Sequence, residues 1–293
     1  MKKMTIALFT AAAMGGSSLA LAADVDGPNP FGRLDVRAVD TDGADVDLTQ
    51  ASYHLGLAGS ATGLAGGLDA SYYARLNDSG LQYGTITFEG GFGALNAGFD
   101  DDLVYKFAGV NVDVLRSGGV PNTFSGLNFG QDAVVQYMND FGGSPIMLGV
   151  HIDDDTGAID GTAGGDGIQN TQVGLMFDHG MGNVGVVYSE QDALANGDSD
   201  DEIRVGGSLN LDVATLRVYT GDDADGNMPY TLGASVPLND VVTLHAFHGD
   251  DDVDTSDTTA ELRANLGGGL DVYAGARSGD SDDSMYVGSR WGF

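Results

Sequence analysis

Residues 67–76 read Gly67-Leu68-Asp69-Ala70-Ser71-Tyr72-Tyr73-Ala74-Arg75-Leu76, and this stretch decides the fold. Leu68, Ala70, Tyr72, Ala74 and Leu76 fall on one face, opposite Asp69, Ser71, Tyr73 and Arg75. A period of two is the signature of a strand with one apolar face. The same alternation recurs along the chain. Leu34, Val36 and Ala38 oppose Arg33, Asp35 and Arg37, and Leu262, Ala264 and Leu266 oppose Glu261, Arg263 and Asn265. Leu270, Val272, Ala274 and Ala276 oppose Asp271, Tyr273, Gly275 and Arg277. Long helical stripes are absent.

Carried through the chain, the pattern predicts sixteen strands. They lie near 31–39, 51–58, 67–76, 81–89, 93–99, 132–141, 145–153, 169–178, 183–190, 201–210, 213–220, 228–237, 240–248, 257–266, 269–277 and 284–293. About 17 residues are then available per strand with its connection, which suits bilayer-crossing strands of about 9–11 residues. The fold class this implies is all-β: a sixteen-stranded antiparallel transmembrane β-barrel. Closure leaves no edge, so every backbone group is paired inside lipid.

The connections test that reading. Every even connection is brief, glycine-rich and nearly uncharged: 59–66, 90–92, 142–144, 179–182, 211–212, 237–240 and 267–268. The odd connections carry the acids: 40–47, 100–130, 153–166, 192–201, 222–225, 250–257 and 280–283; the second of them, 77–80, is short. Short turns on one side and longer loops on the other are the asymmetry of an outer-membrane barrel.

The charge balance fits the same sorting. The chain of 293 residues has 43 Asp and Glu against 12 Lys and Arg, a net charge of −31, and no Cys. So negative a chain does not track phosphates, which excludes nucleic acid as a partner. Absence of Cys excludes disulfide frameworks, thiolate metal sites and cysteine nucleophiles. Hydrophobic residues make up 42% of the chain, too many for a disordered polyacid.

At the start, Met1-Lys2-Lys3 precedes an apolar run from Ile6 to Met14 and an Ala20-Leu21-Ala22 cleavage signal. Residues 1–22 therefore read as an export signal, and 23–293 as the barrel. Loss of Lys2 and Lys3 takes the net charge to −33. At the other end Met285, Val287, Trp291 and the terminal Phe293 share one face of a last amphipathic strand.

Between these ends, Gly67-Leu68-Asp69-Ala70, Tyr73-Ala74-Arg75-Leu76, Phe88-Glu89-Gly90-Gly91-Phe92-Gly93 and Ala94-Leu95-Asn96-Ala97-Gly98-Phe99 form a characteristic series. It resembles the early hairpins of Gram-negative outer-membrane general diffusion porins. The chain is similar to the compact alphaproteobacterial type, and its closing Phe293 matches the barrel-ending Phe of that family. The resemblance implies a homotrimer in the cell outer membrane, among lipid and lipopolysaccharide. It also implies that the third external loop, here 100–130, folds into the lumen, and that its acids face basic side chains on the wall. The loop offers Asp100, Asp101, Asp102 and Asp113, with Lys106 and Arg116 among them.

Arg33, Arg37, Arg75, Arg204, Arg217, Arg263, Arg277 and Arg290 all lie on the polar face of their strands. An Arg facing the bilayer midplane costs about 2–4 kcal/mol, a cost a wet lumen removes. Strands one and sixteen adjoin in a closed barrel, which places Arg33, Arg37, Arg75, Arg277 and Arg290 on one wall. They form either a basic constriction wall or scattered lumen charge, and the reading taken is the wall.

The function expected is passive diffusion of ions and small hydrophilic solutes through a water-filled channel, with no enzyme activity. A substrate-selective channel of the same fold, a non-conducting structural or adhesion barrel and a secreted soluble β-protein are the rivals. The five histidines lie too far apart in the strand pattern to share a site, and no spacing identifies a nucleophile with its base. Asp222-Asp223-Ala224-Asp225-Gly226-Asn227 resembles part of a calcium loop without its terminal Glu. Asp222, Asp223 and Asp225 are therefore either a solvated acidic loop or a weak external Ca²⁺ site, the one cofactor expected.

Overall fold

In the computed structural model, residues 24–41, 47–77, 80–109, 114–115, 133–154, 170–191, 200–222, 226–253, 255–280 and 283–293 are described. Residues 1–22, which the sequence marks as an expected export signal, Asp113, Asp223, Asp225 and most of loop 100–130 lie outside them. Sixteen strands form one closed antiparallel barrel in which each pairs with its neighbours in sequence. The first eight are β1 (Asp24–Thr41), β2 (Asp47–Leu64), β3 (Leu68–Asn77), β4 (Gly80–Gly90), β5 (Gly93–Phe99), β6 (Ala133–Asn139), β7 (Ile146–Asp154) and β8 (Asn170–Asp178). The second eight are β9 (Gly182–Gln191), β10 (Asp200–Asn210), β11 (Thr215–Gly221), β12 (Tyr230–Pro237), β13 (Val242–Asp250), β14 (Ser256–Asn265), β15 (Leu270–Gly279) and β16 (Ser284–Gly292).

The barrel closes where β1 meets β16, with Asp35 opposite Arg290 and Arg33 opposite Gly292. Phe293 finishes the seam. Its N–H donates to the Gly32 carbonyl at 3.0 Å, and the Gly32 N–H donates to the Phe293 carbonyl at 2.8 Å. The Phe293 ring lies over Gly32, where any Cβ would collide with it.

One predicted turn is displaced. Residues 59–64 belong to β2, and the turn is 65–67. The extra length exists because β1 starts at Asp24, and Asp24, Val25 and Asp26 pair with Thr62, Ala61 and Ser60. Both partners are small or polar there, so neither segment displays the alternation that marks the other strands.

The outside is apolar and the inside polar, the reverse of a water-soluble fold. Leu55 and Leu175 are each 48% exposed on the outer surface, in company with Leu57, Val173, Val186, Leu232 and Leu262. So broad an apolar belt requires lipid around it. Among the side chains buried most completely are Arg204, His151, Gln136, Gln172 and Glu261.

Candidate functional site: a lumen narrowed by a loop

The third external connection, which follows β5, turns into the barrel. After Asp100-Asp101-Asp102 it makes one wide helical turn of π type, Val104–Ala108, which packs against β8, β9 and β10. Leu103, Val104, Phe107, Ala108 and Leu115 form a buried apolar cluster with the inward side chains of Val187, Tyr219 and Phe247. Met147 and Met176 pack on the same cluster. The inner face of β7–β13 is thus partly apolar, where strand alternation alone predicts polar groups. The loop covers that face and removes it from water.

Four glycines make the seat. Gly149, Gly174, Gly185 and Gly206 occupy inward positions on four consecutive strands, β7 to β10. A Cβ on Gly149 or Gly174 would lie 2.8 Å from the Phe107 ring. On Gly185 it would lie 2.6 Å from the Phe107 carbonyl carbon, and on Gly206 2.6 Å from that of Ala108. The loop backbone therefore touches the wall backbone with no side chain between them. This seat escaped the reading of single strands. Its signal is a glycine interrupting the polar face of each of four neighbouring strands, with Gly149 opposite Gly174 and Gly185 opposite Gly206 in register.

A polar clamp holds the root of the loop. Lys106 pairs with Asp100 at 2.6 Å and donates to Gln136 Oε1 at 2.5 Å. Gln136 Nε2 donates to the Asp101 carbonyl at 2.5 Å and meets His151 Nδ1 at 2.8 Å. His151 Nε2 lies 3.0 Å from Asp153, which also accepts from Asn170 at 3.0 Å. With Lys106 on Gln136 Oε1, the amide nitrogen must donate to both of its partners. His151 Nδ1 is then an acceptor and its Nε2–H a donor. Farther along, Asp102 accepts from the Tyr105 N–H at 2.7 Å and from Gln172 at 3.3 Å, and Gln172 accepts from the Leu103 N–H at 2.8 Å.

Asp100, Asp101 and Asp102 thus all bond at the loop root. Asp101 accepts from Tyr83 at 2.5 Å, and Arg75 lies over the Tyr83 ring at 4.1 Å. Through that ring one loop acid and one wall arginine are brought together. Burial raises the Asp101 carboxyl above the usual carboxylate range, against the opposing pull of the Tyr83 hydrogen bond and of Lys106 and Arg75.

The facing wall runs from β14 through β16 and β1 to β3. Arg290 pairs with Asp35 at 2.5 Å, Arg277 with Asp257, and Arg263 with Glu261 at 2.6 Å. Arg33 contacts His54 at 3.3 Å. Arg37 shares the inward face of β1 with Arg33 and Asp35. Tyr273 donates to Asp35 at 2.7 Å and its ring lies over Gly288, while the Tyr286 ring lies over Gly275. This wall is a ladder of arginines interleaved with acids rather than a purely basic surface. Its acids come from the wall itself. The loop reaches it where Arg263 donates to the Val114 carbonyl at 2.5 Å.

The inward histidines are separate, as the strand pattern implied: His54 meets Arg33, His151 meets Asp153 and His245 meets Ser235. Among the described residues no three His, Cys, Asp or Glu side chains could hold a metal ion. Asp222 accepts from the Ile203 N–H at 2.6 Å.

Residues 7–284 match the family model described as Gram-negative porin. Of solved structures, OmpF of Salmonella typhi, in complex with daunomycin, superposes with a TM-score of 0.71 at 14% identity, covering 92% of this chain and 97% of that one. The anion-selective porin from Comamonas acidovorans gives 0.64 at 20% identity, covering 92% and 100%. OmpT of Vibrio cholerae, in its trimer form, gives 0.66 at 15% identity, covering 93% and 100%. These likenesses show the fold. No curated protein matches the chain. The family match, over a closed sixteen-stranded barrel with an apolar outside and a polar lumen, shows that the chain belongs to the Gram-negative porins, outer-membrane diffusion channels and not enzymes.

Proposed function

We propose that the channel passes ions and small hydrophilic solutes by passive diffusion, and that the third loop narrows it against the wall bearing Arg33, Arg37, Arg75, Arg277 and Arg290. The observation that carries this reading is the docking of Val104–Ala108 on β8–β10, across the lumen from that wall. Charges of both signs around a narrow wet gap orient water and dipolar solutes, so apolar molecules are disfavoured. Asp100, Asp101 and Asp102 serve the constriction by anchoring the loop. Asp113 belongs to the same loop and is placed with it on the strength of sequence alone.

The first 22 residues act as the export signal, both barrel ends face the periplasm, and the acidic loops face outward. The barrel assembles as a homotrimer, in keeping with the trimer form of the Vibrio cholerae neighbour. No cofactor is needed for diffusion. Weak Ca²⁺ at Asp222, Asp223 and Asp225 would bridge the outer loops to lipopolysaccharide, and an unchanged melting temperature on adding chelator would end that idea.

The test of the function is to insert purified, folded protein into a planar bilayer. Stepwise conductance and entry of small sugars into proteoliposomes are expected. Bilayers that stay closed would leave a structural barrel in its place.

A further inference from the structure

Arg217 differs from the other lumen arginines whose partners are on view. Arg204, Arg263, Arg277 and Arg290 each bind a carboxylate of the same or a neighbouring strand. Arg75 engages Gln82 through Nε and covers the Tyr83 ring. Arg217 has no carboxylate partner among the described residues. Its Nη1 donates to Ser235 Oγ at 2.7 Å and to the Thr215 carbonyl at 3.4 Å. Ser235 Oγ lies 2.7 Å from His245 Nδ1. Having accepted from Arg217, the Ser235 hydroxyl still has its proton and a second lone pair for the His245 contact, whose direction the His245 tautomer sets.

Ser235 and His245 are 7% and 5% exposed, so a buried hydroxyl and a buried imidazole hold one corner of a half-buried guanidinium. The other edge, Nε–H with Nη2–H₂, has no protein partner among the described residues, and neither nitrogen is one of the buried unpaired ones. That edge is the planar fork that matches a carboxylate or phosphate bidentately. A second positive charge, Arg263, acts on the same spot, with its Nη2 engaged by Glu261 and the Val114 carbonyl.

The location is on the transit path. Arg217 is opposite Ser208 and Gly233 in register. It lies one inward step nearer the short turns than Tyr219, which packs beneath the loop. A solute that has passed the loop meets this fork next.

We propose that Arg217, oriented by Ser235 and His245, is an oxyanion-binding subsite on the turn side of the loop, taking the carboxylate or phosphate group of a small solute in transit. This rests on the diffusion-channel reading, and its test separates the two. Chloride conductance is measured at constant ionic strength while inorganic phosphate, or in a second arm acetate, replaces part of the chloride. Isothermal titration of the same anions into the detergent-solubilised protein reads the site without conduction.

In the native chain a saturable fall in conductance and a matching binding isotherm are expected. Arg217→Gln weakens the apparent affinity about tenfold or abolishes saturation, the scale of one charge-assisted bidentate contact. Arg217→Lys keeps the charge and loses the fork, and falls most of the way with it. Ser235→Ala, which frees the guanidinium corner, weakens binding several-fold. A response to both anions supports a general oxyanion site, and a response to one identifies the solute group it takes. Native-like binding in Arg217→Lys would overturn recognition by the fork, and native-like binding in Arg217→Gln would overturn the site. Closed bilayers with an Arg217-dependent isotherm would sink the channel and leave the subsite standing.

Discussion

Replacing Gly185 and Gly206 together by Ala tests whether the seat sets the loop. Neither glycine has a positive φ, so the local backbone accepts alanine without strain. The nearest atoms to both new methyl groups belong to the loop. Each would sit 2.6 Å from a carbonyl carbon, of Phe107 and of Ala108, with the oxygens nearer still. Ordinary contact begins at 3.4 Å, so the loop backbone must lift by at least about 0.8 Å. The obstructing atoms are backbone, and no rotamer change can absorb the shift. Overpacking of this kind costs about 1–3 kcal/mol. The displaced loop moves into the lumen, because the wall lies behind it. Lower single-channel conductance and a lower urea midpoint in detergent are therefore expected together. Gly91→Ala is the control, since a Cβ there has nothing within 4 Å. A double variant with native conductance and native unfolding would refute the seat as the element that positions the loop.

Gln136→Leu removes the amide that joins Lys106, the Asp101 carbonyl and His151, leaving buried polar groups unmet at about 1–3 kcal/mol each; faster proteolysis within the loop and a lower urea midpoint would register it. Leu175→Arg places a charge on the outer face, and unfolding from lipid should show a loss of about 2–4 kcal/mol if that residue lies near the bilayer midplane. Burial raises the Asp101 carboxyl above the ordinary value of about 3.9, so the folded state holds this proton more tightly than the unfolded chain. Its contribution to stability therefore falls as pH rises from that ordinary value through the raised one. Asp101→Asn should flatten this part of a pH series of urea midpoints, and an unchanged slope would remove Asp101 from the account.

The barrel was legible because lipid enforces a local rule. Leu34 and Asp35, or Leu262 and Arg263, have to face opposite solvents, and a period of two reports that wherever the outward residues are large. The rule fades at residues 58–64 and 24–30, where Ala, Gly, Ser and Pro offer no contrast, and there the boundary between β2 and its turn was misplaced. The length of the third loop was equally plain, but its docking was not. That depends on Gly149 coming opposite Gly174 and Gly185 opposite Gly206 on four neighbouring strands, a relation between strands that one-dimensional alternation does not contain. For the same reason Asp100, Asp101 and Asp102 looked like free loop charge. Their partners Lys106, Tyr83 and Gln172 come from the loop helix, β4 and β8, and only folding brings them within reach.

The lumen charges follow from the same two-residue period. On a strand, residues i and i+2 point the same way about 6.6–6.8 Å apart, close enough for a long Arg to meet a Glu. Glu202 with Arg204 and Glu261 with Arg263 are such pairs, each enclosing one outward residue, Ile203 or Leu262. One alternation thus places an apolar group in lipid and an ion pair in the lumen, with no separate device for either. Pairing also immobilises the guanidinium, which otherwise keeps most of about 2 kcal/mol of rotamer entropy and sweeps the gap. Arg204, Arg263, Arg277 and Arg290 are therefore each balanced by an acid in the lumen, although the chain as a whole is at −31. The excess belongs to the outer connections, and at physiological salt its field decays over about 8 Å. Deep in the channel a solute consequently meets short-range, fixed donors rather than the net charge. An arginine held in place without a carboxylate, as Arg217 is, then counts for more than the whole acidic surplus at the mouth.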